Sequence, residues 1–234
     1  MLRQALRRSV TVRKISKRIR RLDAPKDARF EDHYSDWRRK RIAAIADHYG
    51  PGFFNGKTVL EVGCGYGDIG AAFAAFGATV TCSDARDEHL QEAARRHPEV
   101  RVVAADLDGP WPFPRHDVLL HLGLLYHLAD PEQAIRQALD AADHLVLETE
   151  VCDSSDPIVS RSTVEVGYDQ AFNNHGCRPS PAFVERLLTE SGRPFIRIED
   201  DRCNTDYHRY DWPIKETGEF GHGLRRMWFV APVR

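Results

Sequence analysis

The 234-residue sequence lacks any apolar run near the roughly 18 residues that span a bilayer, so no transmembrane helix is expected. It also lacks a C-x-x-C pair, and its five cysteines (64, 82, 152, 177 and 203) are odd in number. That usage argues against a disulfide framework and for reduced thiols in a cytoplasmic protein. No internal repeat and no low-complexity tract is present. Asp206, His208 and Asp211 stand close together, but no second cluster at ligand spacing accompanies them, so no metal site is expected. With 42% hydrophobic and 29% charged residues, the composition is that of a globular domain with a sizeable core.

Acid is missing from one region only. Residues 1–22 carry nine Lys/Arg and no Asp or Glu, and the remaining 24 bases face 35 acids, a formal charge of −11. Leu2, Leu6, Val10, Ile15, Ile19 and Leu22 recur mostly at helical spacing, which allows an amphipathic helix. Such an arm suits contact with RNA or phosphate, contact with an anionic membrane surface, or simple solvation. Its interspersed bases are unlike a secretory signal. Residues 1–29 are therefore read as a basic arm and 30–234 as the folded domain.

The domain begins with a helix over 30–49 that Gly50-Pro51-Gly52 closes. Short apolar runs at 58–62, 79–83, 100–104, 118–122 and 144–149 then alternate with helical stretches at about 68–76, 87–97 and 131–142. This alternation predicts an α/β, doubly wound, mostly parallel sheet with helices on both faces. Residues 151–178 have turn-formers and no periodicity, and read as an inserted loop or lid. Ser180-Pro181 supplies an N-cap and an N1 proline for a helix ending near Gly192. Strands are expected at 195–198 and 227–230. The polar stretch between them reads as surface loop.

The chemistry starts at "EVGCGYGDIG", residues 61–70, directly after the first strand. Gly65, Gly67 and Gly70 spell G-x-G-x-x-G, a dinucleotide fingerprint. In that register Gly63 and charged Glu61 fall inside the strand. Glu61, Gly63, Gly65 and Gly67 also spell E-x-G-x-G-x-G, the loop of S-adenosylmethionine (SAM) enzymes, and here Glu61 lies near the strand's end with Asp68 opening the helix. Asp84, seventeen residues after Gly67, ends the second strand, where a carboxylate accepts hydrogen bonds from ribose hydroxyls.

"VLEVGCGYG", "VTCSDA", "VVAADLDGPWPF" and "HDVLLHLGLLYHLADP" together resemble the class I SAM-dependent methyltransferases over about residues 55–150. The resemblance implies a seven-stranded sheet with an antiparallel last strand and SAM as cofactor. It further implies Asp106 as acceptor for the adenine amino group, and the Leu107 backbone N–H as donor to a ring nitrogen. "LLYHLADP" also resembles the enzymes that modify the wobble uridine of tRNA with SAM-derived groups.

Methyl transfer mainly requires alignment of donor and acceptor, and a hydroxyl acceptor gains from a general base such as histidine. His121 and His127 flank the end of the fourth strand; His121 suits a cofactor or structural role, and His127 a base. His175 is the second candidate base. It lies in "VGYDQAFNNHGCRPS" with Tyr168, Asp169, Gln170, Asn173, Asn174 and Arg178, a density of polar groups that suits a polar acceptor. Glu148 and Glu150 share one face of the fifth strand and are expected either to bind substrate or to be solvated. The expected function is methyl transfer to a small polar acceptor, with O-methylation favoured. An RNA-modifying enzyme docked by the arm and a SAM-fold binding protein without turnover are the alternatives.

Overall fold

The computed structural model describes residues 33–165, 170–218 and 223–233. The expected arm helix, residues 30–32, Tyr168 and Asp169 lie outside the described residues. By compactness the chain divides into Met1–Arg39 and Lys40–Arg234. In the first unit, residues 33–39 form the opening turns of helix α1 (His33–Tyr49), where Arg39 donates to Asp36 at 2.6 Å. The second unit holds everything that follows.

Strands β1 (Thr58–Val62), β2 (Thr79–Asp84), β3 (Arg101–Ala104), β4 (His116–Leu122) and β5 (Ala142–Glu150) alternate with helices α2 (Asp68–Ala75), α3 (Asp87–Arg96) and α4 (Pro131–Ala141). Helix α5 (Pro181–Glu190) follows a hairpin described below, and β8 (Phe195–Ile198) and β9 (Arg225–Val230) complete the chain. The seven-stranded sheet has the order β3-β2-β1-β4-β5-β9-β8. The first five strands are parallel, and β9 enters antiparallel between β5 and β8. Strand order reverses between β1 and β4, the place where open α/β sheets bind ligands at their carboxyl ends. Buried strands flanked by helices on two faces favour apolar residues, and β1, β4 and β9 supply them at their centres in Val59-Leu60, Val118–Leu120 and Met227–Val230.

Two apolar layers sandwich the sheet. One joins Leu60, Leu119, Leu145 and Trp228 to α4 and α5; the other joins Val59, Leu120, Val146 and Phe229 to α1, α2 and α3. The helix starts follow their sequence signals. Asp130 accepts from the Gln133 N–H at 2.9 Å with Pro131 behind it, and Ser180 accepts from Phe183 N–H at 2.9 Å with Pro181 behind it.

Three expectations need correction. The loop expected at 151–178 contains an antiparallel hairpin, β6 (Ser160–Val164) and β7 (His175–Pro179). Its strands carry Ser, Arg, Gly and Pro in place of the β-branched run that marks a core strand, because β6 is largely exposed. Arg178, read as a loop residue, is buried. The stretch after β8 is not all surface either: Cys203, His208 and Tyr210 are buried.

The hairpin docks closely on the segment after β4. A Cβ at Gly176 would fall within clashing distance of the Tyr126 carbonyl oxygen and 3.0 Å from Glu165 Cδ. The carbonyl belongs to backbone, so it has little room to yield. Gly176→Ala is expected to lower unfolding stability by about 1–3 kcal/mol, measured by urea denaturation. An unchanged midpoint would show that the hairpin shifts without cost.

Candidate functional site

The glycine loop joins β1 to α2, and three of its residues have left-handed backbone: Gly63 at φ 65°, Gly65 at φ 53° and Gly67 at φ 75°. Only glycine adopts that sequence of dihedrals without steric cost. At Gly63 a Cβ would also meet the Leu124 side chain at 2.8 Å. The loop is therefore a bare backbone turn at the carboxyl end of β1.

Two carboxylates hold it. Asp84, at the end of β2, accepts from Gly65 N–H and Arg86 N–H, both at 2.9 Å, and lies 3.2 Å from His89 Nδ1. Glu61 is buried beneath the loop and accepts from Gly70 N–H at 2.8 Å, at the first turn of α2. A Cβ on Gly70 would meet Cys82 Sγ at 2.5 Å and Glu61 Oε2 at 2.8 Å, so this glycine admits the strand and the acid. That contact decides between the two loop registers. With Glu61 Oε2 already occupying the Gly70 N–H and Asp68 in the first turn of the helix, a pyrophosphate there would lose a donor and meet a carboxylate. The third glycine of the dinucleotide pattern serves packing, not phosphate.

Asp106 follows β3 and is exposed, with Leu107 buried behind it. Its carboxylate accepts from Asp108 N–H at 3.1 Å and from the Asn173 amide at 3.3 Å. Arg86 donates to the Gln170 carbonyl at 2.8 Å, so residues 170–173 lie along the same edge as Asp84 and Asp106. Two acids at successive strand ends, Asp84 and Asp106, beside a bare loop fit a ligand with ribose hydroxyls and an amino group. SAM has both.

His121 lies within β4, fully buried and stacked on Trp111 with ring centroids 6.0 Å apart. Neither ring nitrogen has a hydrogen-bond partner among the described residues. Burial pushes its pKa down to about 4, so it is neutral near pH 7.

His127 ends a short 3-10 turn, Leu125–His127, just beyond β4. Its Nδ1 forms a short hydrogen bond with Glu165. Glu165 in turn accepts from Arg178 Nη2 at 2.6 Å and from Ala171 N–H at 3.3 Å. Burial pushes the Glu165 carboxyl up, but His127 and Arg178 outweigh it and hold the pKa below the usual glutamate value. His175 opens β7 opposite Val164 and is exposed.

A chain of buried charge runs on from Glu165. Arg178 Nε pairs with Glu150 at 2.8 Å, and Arg225 pairs with Glu148 at 2.9 Å and lies 3.6 Å from Glu150. Arg41 of α1 reaches Glu148 at 3.3 Å. Tyr126 has the Arg178 and Arg225 guanidinium groups 4.9 and 4.8 Å from its ring, and its hydroxyl accepts from Arg225 at 3.0 Å. Glu148 and Glu150 do share a face, but they are buried and ion-paired, not solvated. Sequence reading missed Glu165, Arg225 and Tyr126. Arg225 opens β9 just before its apolar run, the one visible hint of a buried partner.

A family model described as a methyltransferase domain matches residues 59–144. The chain is 30% identical over 199 residues to a tRNA U34 carboxymethyltransferase of Shewanella sediminis, covering 78% of this chain and 57% of the relative. It is 33% identical over 92 residues to a ubiquinone biosynthesis O-methyltransferase of Caulobacter vibrioides, covering 36% of this chain and 35% of that protein. The chain thus spans less than two thirds of these relatives. Among solved structures, the N-terminal domain of EvdMO1 with S-adenosylhomocysteine (SAH) and D-fucose aligns with a TM-score of 0.64 at 18% identity, covering 87% of this chain and 85% of that one. Magnesium protoporphyrin IX methyltransferase from Synechocystis, with bound SAH, aligns at 0.57 and 17% identity, covering 86% and 85%. Residues 59–144 thus match a methyltransferase domain, and the chain shares its fold with methyltransferases that bind SAH.

Burial pushes the Glu61 pKa up to about 7, against the Gly70 N–H and Cys82 thiol that favour the charged form. A carboxyl raised in the folded state adds stability below its unfolded pKa and loses it as pH rises through the folded one. A shift of this size corresponds to about 3 kcal/mol. Glu61→Gln keeps an acceptor for Gly70 without the charge. Its stability relative to wild type should therefore improve between pH 5 and pH 8, by denaturant unfolding at both. A pH-independent difference would contradict the assignment.

Proposed function

We propose that the protein transfers the methyl group of SAM to a hydroxyl of a small polar acceptor, with His127 as general base, in the cytoplasm. The observation that supports this most is the position of His127. It stands just past the carboxyl end of β4, at the sheet edge that also carries Asp84 and Asp106, and it is only partly buried. When bound, SAM supplies the methyl group and the thioether leaving group.

The chain's own residues do the rest. Asp84 takes the ribose hydroxyls, Asp106 and the Leu107 N–H take adenine, and the loop from Gly63 to Gly67 admits the cofactor against bare backbone. Glu61 keeps the loop and the start of α2 together. His121, neutral and buried, packs against Trp111. His127 takes the acceptor proton as the oxygen bonds to carbon. Among the described residues no helix is long and apolar enough to cross a membrane.

A second reading has its own support: the 199-residue likeness to a tRNA-modifying enzyme and the nine bases of residues 1–22. In that reading the acceptor is an RNA base and the arm provides the phosphate contacts.

SAH is expected to bind at low-micromolar affinity and NAD not to bind, by calorimetry. Asp84→Ala should weaken SAH roughly 10- to 100-fold, since bonds to a charged acceptor contribute about 1.5–3 kcal/mol. Equal binding of NAD would overturn the cofactor reading.

Incubation of a cell extract with methyl-labelled SAM and the enzyme identifies the acceptor. His127→Ala should then lower turnover on the order of 10²–10⁴-fold with SAH affinity near wild type. His175→Ala should have the smaller effect, because His175 is exposed at the hairpin. Salt-sensitive retention of the full-length protein on immobilised tRNA, lost on deletion of residues 1–22, would replace the small-molecule reading with the RNA reading.

A further inference from the structure

We infer that Glu165 is the positioning residue for His127, fixing its proton on Nδ1 so that Nε2 is the atom that accepts the acceptor's proton. The inference rests on the reading of His127 as base and adds a residue and an atom to it.

An imidazole works as a base only through its bare nitrogen, and the partner of the other nitrogen selects which one is bare. Glu165 lies against Nδ1. An ionised carboxylate only accepts hydrogen bonds, and Glu165 is held ionised by its own surroundings. Arg178 donates to Oε1 at 2.6 Å, and the Ala171 N–H approaches Oε2, the oxygen that faces His127. Every other group on this carboxylate is thus a donor. The Nδ1 position must carry hydrogen to bond it, and in the neutral imidazole Nε2 is then the nitrogen with the lone pair.

The proton count closes. The acceptor hydroxyl gives its proton to Nε2 as its oxygen bonds to the methyl carbon and the carbon–sulfur bond breaks. The imidazole becomes an imidazolium, and Glu165 stabilises that charge through the Nδ1–H it already holds. The proton on Nε2 then passes to water. Tyr126, whose ring lies 3.9 Å from the imidazole, packs on the same segment, and Arg178, Glu150 and Arg225 stand behind Glu165.

Glu165→Gln has an unusual expected effect. The Arg178 guanidinium retains the amide oxygen, because the alternative turns an NH₂ group toward a cation. The amide NH₂ then faces Nδ1, which must become the acceptor. The tautomer should invert, with hydrogen on Nε2. Arg178 stays paired with Glu150 at 2.8 Å, so the variant is expected to fold.

The test is a side-chain ¹H–¹⁵N correlation spectrum of the full-length protein at pH 8, with the His127 signals assigned from His127→Ala. Wild type should show protonated Nδ1 and bare Nε2, and Glu165→Gln the reverse. With the labelled acceptor in hand, Glu165→Gln should lose activity on the order of 10²-fold or more. The double variant with His127→Ala should lose no more than either alone, because the pair acts as a unit. SAH affinity should stay near wild type. A wild-type spectrum with hydrogen on Nε2, or on both nitrogens, overturns the inference and needs no variant. If the tautomer inverts as expected while His127→Ala retains full turnover, Glu165 positions His127 but the base assignment falls.

Discussion

The constraint on which most of this structure depends is that its buried charges must meet. Glu148 and Glu150 project from the carboxyl end of β5 at positions with almost no access to water, where an unpaired carboxylate would cost several kcal/mol. Each is answered from a different part of the chain: Arg225 from β9, Arg178 from β7 and Arg41 from α1. The pairs therefore tie the inserted strand, the hairpin and the first helix to β5. Apolar packing alone would tolerate a sliding strand; two guanidinium groups aimed at two carboxylates do not. The register Glu148↔Met227 and Glu150↔Arg225 is what allows both contacts at once.

The same charges connect the framework to the site. Arg178 holds Glu150 with one nitrogen and Glu165 with another, so the carboxylate beside His127 is fixed by the pairing that docks the hairpin. Close approach at Gly176 brings β7 against the Tyr126 carbonyl and fixes the 3-10 turn from below. His127 thus sits between two rigid supports, although it belongs to a connection between β4 and α4. A side chain on a loop is imprecise unless a scaffold sets it, and here the scaffold is charge and backbone contact.

Much of this was legible from local pattern. The five parallel strands, their helices and the glycine loop carry their signals within a few residues: apolar runs, Asp130-Pro131, Ser180-Pro181, and glycines where φ is positive. The SAM register of the loop could be chosen from the places of Glu61, Gly63 and Asp106, and the bond from Gly70 N–H to the Glu61 carboxylate adds a physical reason. What the sequence hid is long-range. Glu165 lies 38 residues from His127, and Arg225 lies 77 residues from Glu148. Nothing in "TVEVGYD" marks its glutamate as a partner of a histidine. Tyr210 was hidden in another way: its polar neighbours suggest surface, yet its ring is buried and its hydroxyl donates to Glu148 at 3.2 Å.

Charge balance shapes what the site can do. Three buried carboxylates, Glu148, Glu150 and Glu165, face three guanidinium groups, Arg41, Arg178 and Arg225, and the set is neutral while His127 is neutral. Protonation of His127 adds one positive charge to it. That charge forms next to Glu165, the carboxylate nearest the histidine, and the guanidinium of Arg178 stands on the far side of that carboxylate. The Glu165 carboxylate is already buried and hydrogen-bonded, and pre-ordered groups of this kind cost no reorganisation when charge appears beside them.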